Sequence, residues 1–171
     1  GEISGIRLND QSFIKDIQYN ANGIKAWTYT GLGDTAQFEY DLDGRIKRIN
    51  MPNVYDKNYS FDSADRILSI VDANQPTFNS NFKHDALSRL IEQSNSNKTL
   101  KYSYDKNSNR LMRQTVQGTT ITTENYSIAN DNNRLTAIQQ GTASKTYQYL
   151  PTGQITTDGV RNYTYDAQGR S

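Results

Sequence analysis

Seven times between residues 38 and 170 the chain spells a version of aromatic-x-aromatic-Asp-x-x-Gly-Arg. Tyr40-Asp41-Leu42-Asp43-Gly44-Arg45 and Tyr165-Asp166-Ala167-Gln168-Gly169-Arg170 are clean copies. Tyr59–Ile67, Phe82–Leu90, Tyr102–Leu111, Tyr126–Leu135 and Tyr147–Ile155 are worn ones. The arginine place falls at 45, 66, 89, 110 and 134, passes to Gln154, and returns at 170, with gaps of 21, 23, 21, 24, 20 and 16. Six of the ten arginines share this phase, and aspartates 41, 62, 85, 105 and 166 share another. A fixed period in the low twenties is the signature of a stacked array, in which each unit covers its neighbour.

Each unit has a legible local structure. Side chains alternate along a strand, so the paired rings, such as Tyr102 with Tyr104, Tyr147 with Tyr149 and Tyr163 with Tyr165, share one face. Asp-x-x-Gly then has the form of a type I turn followed by a left-handed residue, which is a three-residue hairpin loop with a bulge. Gly44, Gly153 and Gly169 suit the left-handed place, and Asp65, Asn109 and Asn133 are substitutes that tolerate it, with Ser88 the poor fit. Arg45, Arg66, Arg89, Arg110, Arg134 and Arg170 open the return strands. Those strands carry apolar residues at i and i+3, which strict alternation does not give; a bulge or burial of both faces explains it.

Three copies depart from the pattern, one of them Leu150-Pro151-Thr152-Gly153-Gln154, which loses both Asp and Arg while keeping the turn. The 105–110 copy reads as having one extra residue between Asp105 and Arg110, and an insertion before Arg134 leaves Ala129 in the aspartate place. Residues 1–37 hold a degenerate repeat, with Ile17–Ile24 as a worn copy whose Asn20 and Ile24 stand for aspartate and arginine. Residues 38–171 form the array proper, read as one continuous repeat domain, truncated at its C-terminus, from a longer protein. No stretch sustains a helical period, so the chain reads as all-β, built of stacked β-hairpins in a solenoid-like array.

Composition agrees with a thin sheet. The hydrophobic fraction is 34%, and twelve tyrosines outnumber five Phe and one Trp. A tyrosine has an apolar body and a polar tip, so it suits a wall whose faces are partly wet. Nineteen basic and eighteen acidic residues leave a net charge of +1, which argues against nucleic acid as a partner. There is no cysteine, no window long enough for a membrane span, and no charged-then-apolar opening of the signal-peptide kind.

From about residue 17 to the end, these repeated motifs resemble the YD-repeat, or Rhs-repeat, family. The resemblance implies β-hairpins wound as a spiral β-sheet shell. In bacterial Rhs proteins and insecticidal toxin-complex C components such a shell encloses a toxic C-terminal domain until delivery; in animal teneurins it serves cell-surface adhesion. The Asp-, Pro- and Gly-rich segment that closes the bacterial array and cleaves itself has no counterpart in this sequence. The resemblance therefore implies a piece of shell wall, secreted or cell-surface, whose partners are the rest of its own shell and an enclosed toxin domain.

Chemistry is weighed against that mechanical role. Asp105-Lys106-Asn107-Ser108-Asn109 matches five places of a calcium loop, but Arg110 and Val116 stand where Gly and Glu are required. His84 replaces a ring and has no nucleophile elbow to serve. The Asp–Arg series is read as pairing between stacked hairpins, with Arg beside Asp or over a Tyr ring. Four Asn-x-Ser/Thr sequons recur largely because the repeat generates them. The expectation is no catalytic, cofactor or metal site. Carbohydrate binding or adhesion through exposed tyrosines is the alternative, and exposed strand edges suggest edge-to-edge self-association.

Overall fold

The computed structural model describes residues 2–170, which form two compact units divided between residues 83 and 84. The first contains β1 (Ile6–Leu8), β2 (Gln11–Asn20), β3 (Gly23–Tyr29), β4 (Thr35–Tyr40), β5 (Ile46–Met51), β6 (Tyr55–Phe61) and β7 (Ile67–Asp72), and β8 (Ser80–His84) runs to its end. The second contains β9 (Leu90–Ser94), β10 (Thr99–Tyr104), β11 (Arg110–Gln117), β12 (Thr120–Ile128), β13 (Leu135–Gln140), β14 (Ala143–Thr146), β15 (Gln148–Tyr149) and β16 (Ile155–Thr157). Within each unit strands pair antiparallel with their neighbours in sequence, and β15 and β16 form their own ribbon. The fold is all-β, and a single 3-10 turn at Pro76–Phe78 is the helical segment among the described residues. β4 spans 37/38 and pairs with both β3 and β5.

The apolar i, i+3 spacing arises from bulges. Tyr40 pairs with Ile46 while Glu39 pairs with Arg48, leaving Lys47 as the extra residue. The same step recurs where Phe61, Tyr104, Ile128 and Tyr149 close their hairpins, with Leu68, Leu111, Thr136 and Thr156 as extras. An extra residue flips the alternation once, so Ile46 and Ile49, or Ile67 and Ile70, stand on one face. Burial of both faces is not the cause.

The result is a one-sided sheet. In the first unit Trp27, Phe38, Ile49, Tyr59 and Ile70 share a face, by the cross-strand register. Glu39, Arg48, Asp56, Asn58, Ser60 and Ser69 share the other. A single layer buries little: Ala26, Ala36 and Met51 are the buried apolar residues among those described. Stability must come from strand pairing, half-buried rings and polar fastening of the turns.

One such fastening lies at the far end of β7. Asp72, 3% exposed, accepts the backbone N–H groups of Asn74, Gln75 and Asp56, and its own N–H donates to Asn79 Oδ1. A buried carboxylate with three N–H donors is satisfied, and it ties down the connection carrying the 3-10 turn.

Candidate functional site

The repeat turns lie between β4 and β5, β6 and β7, β8 and β9, β10 and β11, β12 and β13, and β15 and β16, with one more after β16, and these form the candidate site. In the turn at Asp41, Oδ1 accepts the N–H groups of Asp43 and Arg45 at 3.0 and 2.9 Å, while Oδ2 accepts Arg45 Nε at 2.7 Å. Asp62 with Arg66, Asp85 with Arg89 and Asp166 with Arg170 repeat this geometry, with Nε–Oδ2 distances of 2.7, 2.7 and 2.8 Å. The backbone closes the loop in each: Asp N–H donates to Arg C=O, and the fourth residue donates to Asp C=O. Gly44, Asp65, Ser88, Ser108, Asn133, Gly153 and Gly169 all take positive φ, between 57° and 99°. Ser88 is left-handed like the rest, since three hydrogen bonds to Asp85 outweigh its modest strain.

These contacts govern the acids. Partial burial opposes ionisation at Asp41 and Asp62, but the N–H and guanidinium donors of Arg45 and Arg66 outweigh it and hold both below the usual value. The N–H of Arg89 does the same at Asp85, the Asn109 amide at Asp105, and the N–H of Arg170 at Asp166. A carboxylate already holding three N–H donors is a poor base.

The hydrogen bonds relocate two residues. Asp105 accepts Asn107 and Asn109 N–H at Oδ1 and Asn109 Nδ2 at Oδ2, all at 2.8 Å, and its own N–H donates to Asn109 C=O. Asn109 therefore takes the arginine role and Ser108 the left-handed place, so the 105–110 copy has no inserted residue. Arg110 pairs with Tyr104, in the place held elsewhere by Ile46, Ile67 or Leu135. Likewise Asn20 pairs with Gly23 across a two-residue turn and Tyr19 with Ile24, so Ile24 is the apolar residue that follows the arginine place. The extra residue before Arg134 is present: Ala129 N–H donates to Arg134 C=O five residues on. The calcium-like run is a turn whose N–H groups point at Asp105, an arrangement that repels a cation.

Three of the repeat arginines also reach forward beyond their own turn. Arg45, Arg89 and Arg134 donate Nη1 to the carbonyls of Asp62, Asp105 and Leu150 at 3.5, 2.7 and 3.3 Å. Their guanidinium groups lie 4.8, 4.9 and 5.4 Å from the ring centres of Phe61, Tyr104 and Tyr149. Arg45 also pairs with Asp65 of the next turn at 2.5 Å. The main ion pair is thus within one turn, while carbonyls and rings carry most of the link to the next.

Each second-place tyrosine reaches back. Tyr40, Tyr104, Tyr149 and Tyr165 donate their hydroxyls to the carbonyls of Ile24, Leu90, Leu135 and Ile155 at 2.7–2.9 Å. This backward link was not read from the sequence, where Tyr and Phe looked equivalent. The first-place tyrosines behave differently. Burial raises Tyr59, and a hydrogen bond to Asp158 raises Tyr163, while Tyr147 uses its N–H to bond Thr136. Among the described residues, buried His84 Nδ1 has no hydrogen-bond partner, so no group orients it for proton transfer.

No family model and no curated protein matches the chain. Among solved structures it is similar to a chain of the crystal structure of TcdB2-TccC3-Cdc42, with a TM-score of 0.67 and 16% sequence identity. The match covers 96% of this chain and 11% of that chain, so this chain spans about a tenth of its neighbour's length. At that identity the likeness is one of fold. The chain is all-β and shares the fold of the stretch of the TcdB2-TccC3-Cdc42 structure that it matches.

Proposed function

We propose that the chain is wall of a spiral β shell, secreted or displayed by a bacterium, that encloses a toxic polypeptide until delivery. The carrying observation is the two-way clamp, with arginines reaching forward and tyrosines reaching back between successive turns. Such a clamp fixes hairpin to hairpin and leaves each carboxylate spent on structure. On this reading the chain performs no chemistry, binds no cofactor, and partners the rest of its own shell and the cargo. Likeness of fold to TcdB2-TccC3 supports the reading. The test is limited proteolysis of the full-length protein. A cargo domain cut slowly in the intact protein, and quickly once Arg89→Met and Tyr104→Phe loosen the array, is expected. A cargo domain cut as fast as the isolated domain in the intact protein refutes it.

One observation favours a second reading, adhesion to carbohydrate. Trp27, Phe38, Ile49, Tyr55, Lys57 and Tyr59 line an open basin of about 250 Å³ on the aromatic face of the first unit. Stacked rings of this kind suit the C–H faces of sugars. A glycan array on which Tyr55→Ala and Tyr59→Ala abolish binding supports it; an array with no ring-dependent signal removes it.

A further inference from the structure

At two places on the aromatic face of the second unit, the repeat abandons its own rule. Three other return strands bring an aliphatic pair to the ring-bearing face of their own hairpin, Ile46 with Ile49, Ile67 with Ile70, and Leu135 with Ile138, while β9 brings Leu90 with Gln93. In β11 the corresponding pair is Arg110 and Arg113, and the bulge at Leu111 turns both to the face that carries Tyr102, Tyr104 and Tyr126. These two guanidinium groups stand among the rings, with Glu124 opposite Arg113 and Gln140 opposite Glu124 as polar neighbours on the same face.

Their surroundings leave charge uncompensated. Arg113 Nη2 pairs with Glu124 Oε1 at 2.7 Å, and the Tyr126 hydroxyl donates to Glu124 Oε2 at 2.6 Å, so both oxygens of that carboxylate are engaged. Arg110 donates Nη2 to the Tyr126 hydroxyl at 3.1 Å and lies 4.5 Å over the Tyr126 ring and 6.0 Å from that of Tyr102. One glutamate thus serves two arginines. A guanidinium offers five N–H donors in a fork that fits a carboxylate, and most of those on exposed Arg110 face solvent.

The geometry points to a carboxylate-binding site at Arg110 and Arg113, whose ligand is an acidic side chain of a polypeptide laid on this face. The rings of Tyr102 and Tyr126 sit beneath Arg110 and offer no free platform to a sugar. The neighbouring positions on the face, Leu100, Leu135 and Ile138, are aliphatic and suit apolar residues flanking an acidic one. The ion pair steers and orients the ligand, and salt weakens it. The site stands whether or not the sheet encloses a cargo.

The test uses the full 171-residue chain, labelled for NMR. Acetyl-Leu-Glu-Leu-amide, its Leu-Gln-Leu counterpart and sodium glucuronate are titrated while the side-chain Nε–Hε signals of Arg110 and Arg113 are followed. The Glu peptide is expected to move both signals, to bind at least about tenfold tighter than the Gln peptide, and to weaken as salt rises. Arg110→Ile with Arg113→Ile restores the aliphatic pair of the other copies and is expected to keep the fold and lose the binding. Arg110→Lys, a milder change, is expected to fold and to bind more weakly because it keeps the charge and loses the fork. Equal affinity for the two peptides, binding retained in the double isoleucine variant, glucuronate binding tighter than the Glu peptide, or no shift at either arginine overturns the assignment.

Discussion

Replacing Tyr104 with phenylalanine isolates one link between two hairpins. The hydroxyl donates to Leu90 C=O at 2.7 Å, while the ring lies 4.9 Å beneath the Arg89 guanidinium. Phenylalanine keeps the ring and its cation contact, and Phe61 already holds the same place beneath Arg45 at 4.8 Å. The substitution is therefore one the array uses elsewhere, and strain is not expected. What disappears is one hydrogen bond from a partly buried hydroxyl, a net loss of about 1 kcal/mol. Leu90 sits at the half-exposed start of β9, so water can replace the lost donor and keep the loss near that figure. A change of about 1 kcal/mol is roughly a fivefold change in a local opening equilibrium. Arrays do not unfold in one step, so the effect is best read locally, by hydrogen exchange. The amide of Leu100, which points across the β9–β10 ladder, is expected to exchange about fivefold faster in Tyr104→Phe, and that of Lys101, which points to β11, to change less. The amides of β4 and β5 should not change. Unchanged exchange at Leu100, or an equal rise in both units, refutes the idea that this hydroxyl joins one hairpin to the next.

Asp41, Asp62, Asp85, Asp105 and Asp166 all sit below their usual value of 3.8, so each contributes stability that is complete above that pH and is lost as pH falls through its depressed native value. The β-sheet circular dichroism signal should hold down to about pH 4 and decline below 3.8; a midpoint between pH 5 and 7 contradicts the assignment. Gly44 has φ of +80°, and a Cβ there would meet the Asn22 side chain at an ordinary contact distance of 3.6 Å, so Gly44→Val should lose about 1–2 kcal/mol, chiefly from backbone strain, whereas Gly44→Asn should be close to neutral by urea unfolding. Asn109→Arg should exchange the present bond from Asn109 Nδ2 to Asn133 Oδ1 for the forward reach of the other arginines, seen as slower exchange in β12 and β13; faster exchange there would count against the arginine role given to Asn109. The outer edge of β1, with Ile6 and Leu8 exposed, should favour self-association, seen as sedimentation coefficients that rise with concentration.

The hairpin periodicity and turn type were legible because both are local: a ring pair, an acid and a left-handed residue name their geometry within ten positions. The register of single residues was not. Counting arginines placed Arg110 in phase with Arg89, because an arginine and an asparagine four residues after Asp105 can each answer its carboxylate. Only the backbone bond from Asp105 to Asn109 decides between them. The i, i+3 spacing had two readings for a related reason. A bulge and a doubly buried strand leave the same sequence trace, and the pairing partners of Ile46 and Arg48 are needed to separate them. The backward tyrosine link was hidden because Phe61 holds the same place without a hydroxyl, so the ring looked like the whole requirement.

The two reaches of the clamp point in opposite directions along the chain. A hairpin therefore shows one surface to its predecessor and a different, complementary one to its successor, which is a head-to-tail interface. An assembly of that kind has no preferred length. Removing or duplicating one whole hairpin joins surfaces that already fit, whereas cutting within a hairpin strands an arginine without its ring or a tyrosine without its carbonyl. Where the arginine place holds Asn109, the link to the next turn survives in a shorter form, through Asn109 Nδ2 to Asn133 Oδ1.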